Sequence, residues 1–218
     1  MKRIVPLALA LLVLPSVTLA ASAGSHDETE HLNRADMTVA KRAAVHRSDL
    51  ASGWRLTRSG VPPTSDQPCT TFDPDLSAFV ITGKAETSFA HSAGAQMVSD
   101  VAVFRNVRDA AGDFKASAKP GFLRCLRNVL LQSFKQAHLR ARITSSRMST
   151  TPRVGAQSVS YRVISTIYPT NGVPHFSMYS DALALRQGRS QAVLLFIAPF
   201  TPMRGQAALA RSVARRMP

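Results

Sequence analysis

Between His138 and Ala198 the chain reads as four consecutive β segments with no helical periodicity between them, and this run constrains the fold more than any other feature. In residues 138–148, Leu139, Ala141 and Ile143 alternate with His138, Arg140, Arg142 and Thr144, so a strand here has one apolar and one basic face. Residues 159–168 are rich in β formers, Asn171-Gly172 is a two-residue hairpin signal, and 176–186 follow. Arg189 at the next turn leads into 192–198, a nearly continuous apolar run expected of a central strand. Upstream, Phe79, Ile81, Ala85, Thr87 and Phe89 share one parity except at Gly83, where a bulge would restore it. Val101 and Val103 alternate within 97–104, and Gly94 supports a hairpin between these two strands. Helical spacing is found at 36–47 with Asp36 as cap, at 107–118, at 122–137 after Pro120-Gly121, and at 203–217. Residues 49–54 read as a turn and 60–68 as a loop delivering Cys69. Helices set apart from hairpin-linked strands predict an α+β domain with an antiparallel sheet of about six strands, covered by helices on one face.

The N-terminus predicts where this domain works. Lys2 and Arg3 precede an apolar run, Ile4–Leu14, and Ala21-Ser22-Ala23 offers small residues at the spacing signal peptidase reads. The expected organisation is a signal peptide over 1–23, a disordered leader over 24–35 and a single domain over 36–218. The apolar run is shorter than the about 20 residues that cross a bilayer, so the mature chain is expected to be secreted or extracytoplasmic without a transmembrane segment. Its two cysteines, Cys69 and Cys125, are expected to pair in an oxidising compartment. Closing that loop is worth about 4 kcal/mol in the chain-entropy account.

Charge divides the chain. Residues 1–113 hold 11 Lys or Arg against 12 Asp or Glu, whereas 114–218 hold 16 against the single acid Asp181. Such a surface attracts polyanions at low salt. Outside a cell these are lipid headgroups and wall polymers, and nucleic acid is not the expected partner. Of the 27 cations 21 are arginine, which suits bidentate contact with phosphate or carboxylate. Arg124, Arg127, Lys135, Arg140, Arg142 and Arg147 span a helix and the following strand, and make an anion-binding surface if they share a face.

Sequence motifs offer little chemistry. Ala90-His91-Ser92-Ala93-Gly94 approaches a nucleophile elbow, but that motif needs a strand before the serine and a helix after it, and a strand follows Ser92. The hairpin-turn reading is preferred, and an exported serine hydrolase using Ser92 is the weaker alternative. The six histidines show no i, i+4 pair, and no CxxC or Cys/His cluster exists, so neither metal nor cofactor is expected. Asp73 and Asp75 form a DxD best read as capping a short helix over 74–78. Glu86, Asp100, Asp109 and Asp113 offer no carboxylate pair that spacing alone defines.

Asp49-Leu50, Gly53-Trp54, Cys69, Thr82-Gly83 with Phe89, Val101–Phe104, Ala110-Ala111 with Phe114, Cys125, Tyr179-Ser180-Asp181 and Arg186-Gln187-Gly188-Arg189 together resemble actinobacterial exported sensor-type domains. That group includes the extracellular sensor domain of the PknH kinase and secreted lipoproteins of PsbP-like shape. The resemblance implies a strongly bent antiparallel sheet with helices against it, a ligand-holding cleft and no known catalysis. The chain departs from it in having no kinase domain, no lipobox and one possible disulfide in place of two. The expected function is an exported, non-catalytic binding domain with a cleft for an apolar or amphipathic molecule and a basic face for the anionic cell envelope. A protein-interaction module of the envelope is the alternative from another class.

Overall fold

The computed structural model describes residues 28–60, 72–149, 154–168 and 175–218. The expected signal peptide, Cys69 and the Asn171-Gly172 turn lie outside the described residues. The elements are β1 (Thr29–Glu30), α1 (Arg34–Ala43), a 3-10 turn (Arg47–Asp49), β2 (Trp54–Gly60), β3 (Val80–His91), β4 (Gln96–Phe104), α2 (Val107–Ser117), α3 (Pro120–Gln136), β5 (Arg140–Ser149), β6 (Gln157–Tyr168), β7 (Phe176–Gln187), β8 (Ser190–Pro199) and α4 (Gln206–Arg216). They form one α+β domain whose sheet runs β1-β3-β4-β8-β7-β6-β5, with β2 also on β3. Among the described residues only the β1–β3 pairing is parallel, and the bulge expected at Gly83 is a register shift between Ile81 and Gly83.

Among the described residues the sheet has eight strands rather than about six. β1 is two residues long, and β2 buries only Trp54, so neither carries an alternation that a sequence pattern detects. Residues 28–33, expected within a disordered leader, are ordered: Thr29 and His31 donate backbone hydrogen bonds to Phe79 and Ile81. The cap of α1 is Asn33, whose side chain accepts from the Asp36 N–H at 2.9 Å, not Asp36 itself. The two helices expected on either side of Pro120-Gly121 are separate, but α3 begins two residues earlier than expected, at Pro120 itself, where its missing N–H costs nothing.

Helices cover both faces, not one. On the first face Ala40 and Ala43 of α1 and Leu209, Ala210 and Val213 of α4 pack against Ala85, Phe89, Met97, Val101, Leu194 and Phe196. On the second face Phe114 of α2 and Leu126, Leu130 and Phe134 of α3 pack against Tyr161, Val163, Ile167, Leu195 and Ile197. β8 contributes successive residues to both cores, which is why its sequence is apolar throughout. The cover is uneven. On the first face α1 lies on β3 and β4 and α4 reaches β7, while α3 on the second face lies on β5 and β6.

Asp36 fixes the first turn of α1 to the β7–β8 turn, beside the end of β4. Its carboxylate accepts from Arg189 in the β7–β8 turn, with Nη1 to Oδ2 at 2.9 Å, and the same Nη1 donates to the Phe104 carbonyl at 2.9 Å. The Arg189 hydrogen bonds hold the Asp36 carboxyl well below the usual carboxylate range. This contact requires close approach, because a Cβ on Gly83 would lie 2.3 Å from the Asp36 carbonyl. Gly83→Ala should therefore destabilise by about 1–3 kcal/mol, the usual cost of overpacking, read as a lower urea midpoint with unchanged slope. An unchanged midpoint contradicts this packing.

Glu86 and Asp100 face each other across the β3–β4 ladder, and the Ser88 hydroxyl donates to Glu86 at 3.2 Å. Burial, and then the Glu86 charge, push Asp100 up to about 7. A carboxyl raised on folding opposes stability once ionised, so this penalty grows as pH rises from about 4 and is complete above about 7. Asp36 acts in a separate window, since its lowered value supports the fold above about pH 4 and is lost only below it. Asp100→Asn should raise Tm at pH 8 and flatten the Tm profile between pH 5 and pH 8, measured by thermal denaturation in buffers of constant ionic strength. A variant that melts lower than wild type at pH 8 refutes the assignment.

Candidate functional site

The uneven cover leaves a groove of about 430 Å³ on the first face, where α4 ends short of β5 and β6. Strand register builds its floor. Arg147 on β5 pairs with Arg162 on β6, Arg162 with Asp181 on β7, and Asp181 with Phe196 on β8, so the four form one row. Under α4 this row is apolar, and beyond α4 it is charged. Val154, Leu183 and Ala207 supply the apolar walls, and Gln206 enters from the first turn of α4.

Asp181 organises the polar groups. Arg162 donates to it through Nε and Nη2, at 2.5 and 2.8 Å, and Gln206 Nε2 donates to Oδ2 at 2.7 Å. The hydrogen bonds to Asp181 raise the Arg162 pKa, so its charge is fixed at any physiological pH. Arg147 is exposed and stands beside Arg162, a like-charge pair directly across the ladder. Such a pair is destabilising unless an anion lies between its members. With one carboxylate against two guanidinium groups, the row keeps one positive charge at the mouth of the groove.

The six cations expected to form an anion-binding surface divide between the two faces. Arg140, Arg142 and Arg147 pair with Tyr168, Thr166 and Arg162 and so share the groove face, separated from the α3-covered side by Ala141 and Ile143. Arg124, Arg127 and Lys135 are exposed along the outer side of α3. The two sets are brought to one end of the domain but not to one surface.

Other candidates have structural roles. Ser92 lies in the exposed turn between β3 and β4, where the His91 ring accepts from the Ala93 N–H at 3.0 Å and packs edge-on against Trp54. A strand follows it, which is a hairpin and not a nucleophile elbow. Asp75 accepts from the Ser77 backbone and hydroxyl at 3.1 and 2.7 Å in a turn, not at a helix as expected. Among the described residues no three His, Cys, Asp or Glu side chains gather as a metal site, and no helix is long and apolar enough to cross a membrane.

On the opposite side of α4 a second, more open groove of about 380 Å³ is lined by Leu50, Trp54, Met203 and Leu209. Its Asp49 is already occupied by Arg216 through two contacts of 2.9 Å. Burial alone would raise the Asp49 carboxyl, but the Arg216 hydrogen bonds, the His46 backbone N–H and the charges of these two residues together outweigh it, and the net direction is downward.

Arg162, Asp181 and Gln206 were not legible as a site from residue types alone, although a signal for two of them exists. Arg162 and Asp181 are equidistant from Asn171 and Gly172, so a two-residue turn there places them opposite each other.

No protein-family model and no curated protein matches the chain. Among solved structures, the fold is similar to that of the extracellular domain of PknH from Mycobacterium tuberculosis. That match has 8% identity and a TM-score of 0.47, and covers 83% of this chain and 95% of that one. An uncharacterised protein from Mycobacterium smegmatis is similar at 11% identity and a TM-score of 0.45, covering 84% of this chain and 97% of that one.

Proposed function

We propose that the chain is an exported, non-catalytic binding domain whose groove holds an apolar or amphipathic molecule and whose basic surfaces associate with the anionic cell envelope. The observation that carries this reading is the Arg147–Arg162 pair, two like charges set side by side at the mouth of a groove with apolar walls. Arg140 and Arg142 extend the same charge along β5, and Arg124, Arg127 and Lys135 add a second basic surface on α3. Anionic lipid or wall polymer is the partner this charge fits, with no requirement for base recognition.

A Cys69–Cys125 disulfide belongs to the same reading. Cys125 is buried on α3. Phe72, three residues after Cys69, packs against Phe122 with ring centroids 6.4 Å apart, and a Cβ on Gly121 would strike its ring. Phe72 thus touches α3 one turn before Cys125. Alkylation of denatured, unreduced protein should add no mass, and two adducts after reduction. Adducts before reduction contradict the disulfide.

Envelope association is tested by sedimentation with vesicles. Binding to phosphatidylglycerol vesicles at low ionic strength should fade towards about 1 M salt, where the screening length is about 3 Å, and binding to phosphatidylcholine vesicles should be weaker throughout. The double variant Arg140→Glu/Arg142→Glu should lose at least fivefold in affinity. Equal binding to both vesicle types overturns the envelope reading.

A further inference from the structure

Resting on that reading of the groove, its dimensions and charge point to a narrower ligand class. We propose that it takes a single-headed anionic amphiphile, with one phosphate- or carboxylate-type group clamped between Arg147 and Arg162 and a short apolar body against Val154, Leu183 and Ala207.

Three observations build this. The first is charge and its direction. Asp181 engages Arg162 through Nε and Nη2, and among the described residues nothing accepts from Nη1. A guanidinium presents donors along several edges in one plane, so a second oxyanion can bind Arg162 without displacing Asp181. Arg147, directly across the ladder, supplies the opposing donor group. An anion seated between them turns a repulsive pair into two charge-assisted contacts.

The second is the carboxyl that limits selectivity. Asp181 lies in the same row with a side chain only 8% exposed, and Gln206 and Arg162 satisfy both of its oxygens. Among the described residues lining the groove it neutralises one arginine and leaves a single positive charge, which suits one anionic group, while Arg140 and Arg142 lie on the same face outside that lining. The third is size. A volume of about 430 Å³ equals that of about fourteen waters, within the range of sites for drug-sized molecules. One head group and a short apolar body fit this space, whereas a two-chain lipid would leave its tails outside.

Isothermal titration with octyl phosphate tests the clamp, with octyl glucoside as the neutral head on the same tail and inorganic phosphate as the head without a tail. Octyl phosphate should bind at least tenfold more tightly than either control. Arg147→Ala, an exposed substitution that leaves the Asp181 contacts intact, should reduce that affinity at least tenfold. Arg124→Ala/Arg127→Ala should leave octyl phosphate binding within twofold while reducing retention on phosphatidylglycerol vesicles, which separates groove occupancy from general attraction to a charged surface. Equal affinity for octyl glucoside or for inorganic phosphate overturns the clamp. So does an Arg147→Ala variant that binds octyl phosphate like wild type, whether or not vesicle association persists. Loss of vesicle binding alone removes the envelope reading and leaves the clamp standing.

Discussion

The Arg162–Asp181 pair marks the line where the sheet changes character, and the functional account depends on it. Toward β8 the first face is apolar and roofed by α1 and α4. Toward β5 it is charged and open. An arginine held by a carboxylate at 2.8 Å, with Gln206 of α4 on the same carboxylate at 2.7 Å, lets the α4 roof end beside a polar row without stranding a buried charge. Removing Arg162 would leave the buried Asp181 carboxylate with Gln206 alone, and removing Asp181 would leave the half-buried Arg162 without its acceptor, so this boundary is both a structural joint and the floor of the groove.

Two further ion pairs fix the roof that defines the groove. Arg189 ties the first turn of α1 to the β7–β8 turn and to the end of β4. Arg216, in the last turn of α4, reaches Asp49 and the Ala44 carbonyl just past α1, each at 2.9 Å. The chain ends of α1 and α4 are thus bound to each other and to the sheet. α1, over β3 and β4, meets α4, which reaches β7, while β5 and β6 are backed on the second face by α3.

Much of this was legible in the sequence. The β8 run, the β5 alternation and the hairpin at Gly94 fixed the main strands, because each states which side chains are buried. The misses have physical causes. β2 exposes nearly every side chain, so Trp54 alone could not reveal it, and α1 begins two residues before Asp36 with Asn33 as its cap, the Asp36 carboxylate being engaged by Arg189, 153 positions away. A helix that is amphipathic shows that it packs on a sheet, not on which face, and so the cover on both sides was not predictable from periodicity. Arg147 was visible as a cation, but its meaning depends on register. Only the pairing of β5 with β6 and β6 with β7 turns scattered arginines into a row with one carboxylate.

The most direct test of the account is to watch the arginine side chains themselves. In nitrogen-edited spectra of the guanidinium groups during titration with an anionic amphiphile, Arg147 and Arg162 should shift first and saturate together, while Arg124 and Arg127 stay unmoved until far higher concentration. Simultaneous shifts of all four, or a first response on α3, would show that the groove is not where the anion sits.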